Sequence, residues 1–236
     1  MRVLLAPAYG PGQNLADEGR LAIVIDALRA SVTITAALAL GAREVIPVAK
    51  VDEAQAYLGR PGYLVAGERS CAAIEDFHFG NSPLELIANR QRLAGQSLVL
   101  TTSNGTQAIE SLAGAAAVLI GSLPNLSAVA SQAFSLAEEQ GLDVALVPAG
   151  WLGEAAEEDL YAAAALGRRL AELGADWRPE ADLAGLLDEA PEEAFILSPS
   201  GERLKGLGYA DDVRFCARLD TYSIAPRLDE GRLVAL

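Results

Sequence analysis

Read for its hydrophobic and polar positions, the chain is a series of short apolar runs, each stopping at a polar or glycine-bearing corner. Leu21 to Ile25 is five apolar residues in a row. Such continuity, with branched side chains, suits a strand buried on both faces. Asp26 stands where the run stops, followed by Arg29, Ser31, Thr33 and Thr35 and then an alanine-rich segment to Gly41, which reads as a helix with a glycine stop. A strand end, a turn and a helix start therefore share one corner. In an open α/β sheet such corners bind ligands, because the helix start offers free N–H groups and its positive dipole end to an anion.

The same grammar recurs along the chain. Arg2 to Ala6 reads as a short strand and Gln13 to Arg20 as a polar connection. Val45, Ile46 and Val48 follow the helix directly, which implies a right-handed crossover and parallel pairing, with Pro47 marking a sheet edge or strand end. A short helix from Asp52 to Leu58 leads to a strand at Tyr63 to Ala66 that closes on Glu68 and Arg69. Residues 67–83 are long and polar for a connection, a feature that is often functional. Ser82-Pro83-Leu84-Glu85 then carries a capping-box signature. The strand Ser97 to Leu100 runs into Thr101-Thr102-Ser103-Asn104-Gly105-Thr106, a turn dense in donors for an oxyanion. Further strands are read at Ala116 to Ile120 and Asp143 to Val147, the second leading through Gly150 into a helix with Glu157, Glu158 and Asp159 in its first turns. Beyond Gly174 the rhythm decays into a helical, acidic Trp177 to Ala190, a short helix at Pro199 to Leu207, and a hairpin over Arg227 to Leu236.

This alternation predicts an α/β fold, a three-layer sandwich with a largely parallel central sheet. Residues 1–175 would form the core with the phosphate and metal site, and 176–236 a helical and hairpin region packed on it as a cap, or all one continuous domain. Composition narrows the partners. The 236 residues carry a net charge of −14 and no basic run, which argues against nucleic acid or an anionic membrane. The 51% apolar content is too broken for the roughly 18 apolar residues of a membrane span, so the reading is cytoplasmic, with a homodimer expected from the apolar content. Cys71 and Cys216 form no metal or disulfide pattern.

Familiar phosphate chemistries fall away on residue identity. The two lysines, Lys50 and Lys205, sit in no P-loop; the residue two after Asp26 is Leu28 rather than a second Asp; Phe77 and Tyr222 stand where a cysteine phosphatase needs Arg; and His78 is the single histidine. Carboxylates, hydroxyls, amides and Arg remain. Carboxylate oxygens are what Mg²⁺ prefers, and Asp26, Glu68, Glu158 and Asp159 all lie at strand ends or the helix starts that follow. The competing reading for Asp26 is an N-cap or a partner of Arg29, for the three acidic residues at 157–159 a solvated first turn, for the 101–106 turn a helix cap, and for His78 a packed ring.

Four blocks, VIDALRASVT, GERSCAAIEDFHFGNSP, LTTSNGTQAI and PAGWLGEAAEEDLYAAAALG, with the tail GLGYADDVRFCARLDTYSIAP, resemble the 2-phosphosulfolactate phosphatase family of coenzyme M biosynthesis in order and spacing. The chain departs from that pattern at Asp76, His78 and Pro148, and Pro148 removes any thiol role at its position. The resemblance implies a Mg²⁺-dependent phosphatase acting on a small acidic phosphomonoester. Asp26, Arg29 and Glu68 would be catalytic. Asp26, Glu68, Glu158 and Asp159 would hold the metal. Arg29, Ser31, Thr102, Asn104, Gly105 and Thr106 would take the phosphate, Arg69 and Asn81 the acid groups, with Thr33, Ser82 and Gly150 also counted as substrate-binding. The alternatives are a non-catalytic binder of phosphorylated metabolites, or a lyase or isomerase using phosphate as a handle.

Overall fold

The computed structural model describes residues 1–9, 19–112, 114–151 and 153–236. Most of the connection expected at Gln13 to Arg20 lies outside them. In chain order the elements begin β1 (Arg2–Leu5), β2 (Arg20–Ile25), α1 (Ala30–Ala39), β3 (Glu44–Pro47), α2 (Val51–Gln55), β4 (Tyr63–Arg69) and β5 (Ala72–Ala73). They continue with α3 (Pro83–Ala88), α4 (Arg90–Leu93), β6 (Ser97–Thr101), α5 (Gly105–Glu110), β7 (Ala117–Gly121), α6 (Leu126–Gln140), β8 (Asp143–Pro148) and α7 (Glu157–Glu172). The last are β9 (Asp176–Trp177), α8 (Ala181–Gly185), α9 (Pro191–Leu197), α10 (Pro199–Gly206), α11 (Ala210–Cys216), β10 (Pro226–Asp229) and β11 (Arg232–Ala235).

The strands form one largely parallel sheet in the order β5-β4-β6-β3-β11-β10-β7-β2-β8-β1-β9, with helices on both sides, so the α/β reading holds. One expectation fails. The C-terminal hairpin is not packed on the sheet but lies inside it, β11 pairing antiparallel with β3 and β10 with β7. Its two-residue turn, Glu230-Gly231, has both residues at positive φ, the hairpin turn whose twist matches its strands. Pro47 accordingly ends β3 without marking an edge, since β3 sits between β6 and β11. Trp177 is also a strand residue rather than a helical one. It pairs with Val3, and its indole lies against Gly167 of α7, where a Cβ would collide with the ring.

The hairpin has a geometric consequence for the site. Three antiparallel steps in succession, β7 to β10 to β11 to β3, make the β4-β6-β3 block run opposite to the β7-β2-β8-β1 block. Six steps separate β4 from β2, and at roughly 20–25° of twist per step the sheet turns through about 120–150° between them. Most of the reversal is undone, and the C-terminal ends of β2, β4 and β6 converge. Helix α1 fills the space within this curl. Nine consecutive residues, Ala30 to Leu38, are buried, as expected of a helix apolar on all sides.

Alternation along the strands divides the core. Leu21, Ile23, Leu119, Val144 and Leu146 face Val129 and Ala133 of α6 and Leu166 and Leu170 of α7. Ala22, Val24, Val118 and Ile120 face inward with Ile34 of α1, Val45, Leu98, Leu100 and Leu233. A small third cluster sets Val65 and Val99 under Ala54 of α2. Phe195, Leu204 and Val213 anchor the C-terminal helices to the first cluster with side chains fully buried, each worth about 1.5–3 kcal/mol of burial. These helices thus reach the rim where the strand ends meet.

Candidate active site

A cleft opens at the convergence of strand ends, lined among others by Asp26, Arg29, Glu68, Asn81, Asn104, Gly150, Glu158 and Asp159. Asp26 ends β2, and its Oδ1 accepts the Ala30 N–H at 3.0 Å while its own N–H donates to Ser31 Oγ at 2.9 Å. Arg29, not Asp26, occupies the N-cap position of α1; Asp26, three residues earlier, reaches the first N–H of the helix, and it lines the cleft. Burial, with the charges of Glu68 and Glu158, raises its pKa to about 6 against the pull of the Ala30 and Gly105 N–H groups. Gly105 is needed there because a Cβ would lie 2.5 Å from Asp26 Oδ2.

The acidic residues of α7 divide in role. Asp159 accepts the Ala27 N–H at 2.7 Å on one oxygen and the Gly150 N–H at 2.8 Å on the other, tying α7 to the β2 corner and to the loop after β8. Burial and then the charges of Asp26 and Glu158 push its carboxyl well above the usual range. Glu158 is 3% exposed, and its Oε2 is buried with no hydrogen-bond partner. Glu157 is exposed and points away. Glu68 accepts N–H groups from Ser103 and Cys71, both at 2.7 Å, which joins the end of β4 to the turn after β6.

Arg29 is 2% exposed, with Nη1 2.6 Å from Asp212 Oδ2 and its guanidinium 4.2 Å from the centre of the Tyr209 ring. A second bond goes to the Cys71 carbonyl at 3.3 Å. Asp212 also accepts from Ser82 Oγ at 2.8 Å, so α11 locks both the first corner and the start of α3.

The donor set fits the magnesium that the family resemblance implies. The cleft offers hard oxygens, and two of them, Glu158 Oε2 and Asn81 Oδ1, are buried without partners. Such atoms are costly unless a ligand or water satisfies them. Among the described residues no three His, Cys, Asp or Glu side chains are grouped around a single point.

Several residues expected at the site support it from behind. Ser31, Thr33, Ser82, Thr102, Gly105 and Thr106 do not line the cleft. Thr102 and Thr106 bond each other's N–H groups at 3.1 Å, holding the turn so that Ser103 and Asn104 face outward. Thr33 Oγ1 is buried in α1 without a partner. Arg69 is turned away, bonding the carbonyls of Glu68 and Ala49 and Thr101 Oγ1. Glu85 completes only half a capping box: its N–H goes to Ser82 Oγ, but its carboxylate takes the Gly80 N–H. His78 is the packed ring of the plain reading, with Nδ1 accepting from Val65 N–H. Cys71 lines the cleft half-buried, its thiol pushed up by burial and by the Glu68 charge. Sequence reasoning missed Ser103, Trp151, Ser200, Arg203 and the partner Asp212. The dipeptide Asp211-Asp212 in the tail block was the one available signal for the last.

The chain matches the 2-phosphosulpholactate phosphatase family over residues 7–231. It is 43% identical over 216 residues to the 2-phosphosulfolactate phosphatase of Methanothermobacter thermautotrophicus, spanning 90% of this chain and 88% of that protein. It is 39% identical over 237 residues to a probable 2-phosphosulfolactate phosphatase of Symbiobacterium thermophilum, spanning 96% and 97%. A probable 2-phosphosulfolactate phosphatase of Caldanaerobacter subterraneus subsp. tengcongensis is 36% identical over 217 residues, at 89% and 88%.

Proposed function

The chain belongs to the 2-phosphosulpholactate phosphatase family, and from that premise we propose that it hydrolyses 2-phosphosulfolactate, or a close phosphorylated hydroxy acid, to the free acid and phosphate. The observation that carries the proposal is the meeting of Asp26, Glu68, Glu158 and Asp159 with Arg29 in one cleft. Four carboxylates with a single buried, pre-oriented Arg make little sense as a binder of anions alone. They suit a divalent cation and a phosphate held together.

Magnesium would be held by Asp26 and Glu158, with Glu68 and Asp159 adding charge around it. When bound, it would neutralise phosphate oxygens. Phosphoryl transfer has a loose transition state with charge spread over the equatorial oxygens, so fixed positive groups and N–H donors lower its energy most. Arg29 is the side chain suited to that task, since Asp212 and Tyr209 fix its fork before substrate arrives. In the reaction the ester P–O bond breaks, a water oxygen ends on phosphorus, and the leaving alkoxide takes a proton. With His78 occupied in the fold, that proton comes from a carboxylic acid, and activity favours mildly acidic pH. A rate still rising at pH 9 contradicts this.

Asp26 acts either as metal ligand or as a nucleophile forming an acyl phosphate. Hydroxylamine trapping during turnover separates the two. The functional test is phosphate release from a panel of small phosphorylated hydroxy acids, with Mg²⁺ and with chelator, for wild type and Asp26→Asn. Metal-dependent release that is lost in the variant is the expected result. No release, with thermal stabilisation by the same compounds, would make the protein a binder instead. Among the described residues no helix is long and apolar enough to cross a membrane.

A further inference from the structure

We propose that Arg203 recognises the substrate's distal acid group, the sulfonate borne by the carbon next to the phosphorylated one; this rests on the phosphatase reading above. Two arginines line the cleft against four carboxylates. Arg29 is committed to Asp212 and buried. Arg203 is exposed, its guanidinium carbon lies over the Trp151 ring, 5.3 Å from its centre, and its charge acts on Cys71 in the same cleft.

The two partners come from different elements. Trp151 follows β8 and is 41% exposed, unusual for so large an apolar side chain, whereas Arg203 sits on α10. Stacking on the indole holds the guanidinium plane and leaves its N–H edge free. Ser200 lies one helical turn earlier and lines the same cleft, so a hydroxyl and a guanidinium share one face. Leu204 and Phe195, both fully buried beneath, fix this helix to the core.

Charge makes the case specific. A substrate acid group entering between Asp26, Glu68 and Glu158 in a chain of net charge −14 meets repulsion unless a cation receives it. A planar two-pronged donor fits a carboxylate or two sulfonate oxygens better than a point charge does. With Arg29 assigned to the phosphate, Arg203 is the other cleft cation available for that.

The test compares 2-phosphosulfolactate with 2-phospholactate, which has a methyl in place of the sulfomethyl group, in wild type, Arg203→Ala and Arg203→Lys. Charge-assisted hydrogen bonds lost with the guanidinium are worth about tenfold to a hundredfold. Arg203→Ala is expected to lower the kcat/KM ratio between the two substrates by at least about tenfold, mainly through KM for the sulfonate, with Arg203→Lys recovering part. An equal loss on both substrates would overturn the proposal. Sulfolactate binding, followed by tryptophan fluorescence with Trp151→Phe as control, tests Arg203 even if no phosphate is released. Binding to wild type that is equally tight in Arg203→Ala, or no binding to either, would also overturn it.

Discussion

Replacing Asp212 by Ala leaves Arg29 in the core with its stack on Tyr209 and one bond to the Cys71 carbonyl at 3.3 Å. Both partners of the original pair are 2% exposed, so water cannot take over the lost contact. Ser82 Oγ loses its acceptor as well. Removing one member of a buried pair costs about 3–5 kcal/mol, because the other charge stays desolvated and unpaired. For a chain of this length each kcal/mol moves Tm by about 2–4 °C, so Asp212→Ala is expected to melt roughly 6–20 °C lower. Thermal unfolding by circular dichroism, with urea titration alongside, reads this directly. The paired variant Arg29→Met/Asp212→Leu removes both charges and is expected to regain most of the stability while releasing no phosphate. A loss below about 1 kcal/mol for Asp212→Ala, within the range of an exposed pair, would refute the reasoning. So would a double variant no more stable than the single one.

Other outcomes test the cleft itself. The Asp26 carboxyl is raised from its ordinary 3.8 to about 6, so between these values the folded protein binds protons more tightly than the unfolded chain. Stability therefore falls as pH rises from about 4 through 6. Asp26→Asn in chelator should then melt above wild type at pH 8 and lose that advantage by pH 4; a constant difference across the range would contradict the assignment. Glu158→Gln is expected to raise the apo Tm, because it removes a buried, unpartnered charge that repels Asp26 and Asp159, and to abolish thermal stabilisation by Mg²⁺. Asp159→Asn should instead lower the apo Tm, by about 1–3 kcal/mol of stability, because the amide has one oxygen for the two N–H groups of Ala27 and Gly150. Gly105→Ala drives a methyl against Asp26 Oδ2; phosphate release is expected to fall sharply with about 1–3 kcal/mol of destabilisation, and wild-type turnover in this variant would disprove the close approach.

What could be read from residues alone follows from local physics. The run Leu21 to Ile25 with Asp26 at its end, the glycine stop at Gly41, the Ser82 cap and the Glu230-Gly231 turn each depend on neighbours a few positions away. The strand and helix they announced are there. Asp26 and Glu68 stood out as carboxylates at strand ends, whereas Glu158 and Asp159 read from residues alone as a solvated first turn, and only the fold shows them buried in the cleft. Which of the polar residues beside them face the cleft was not legible. Thr102 and Asn104 belong to one turn, yet the first bonds inward to Thr106 and the second lines the cleft.

The sequence by itself determined the α/β alternation, the acidic corner and the family. Tertiary structure decided the rest, for reasons of distance along the chain. Arg29 and Asp212 are 183 positions apart, and no periodicity links them. The hairpin at 226–235 reads as an ordinary two-stranded ribbon, but only its insertion between β3 and β7 sets the two parallel blocks against each other. The twist accumulated across that junction brings the ends of β2, β4 and β6 to one point. A hydrophobic pattern specifies which face of a strand is buried, and it carries no record of which strand will lie beside it.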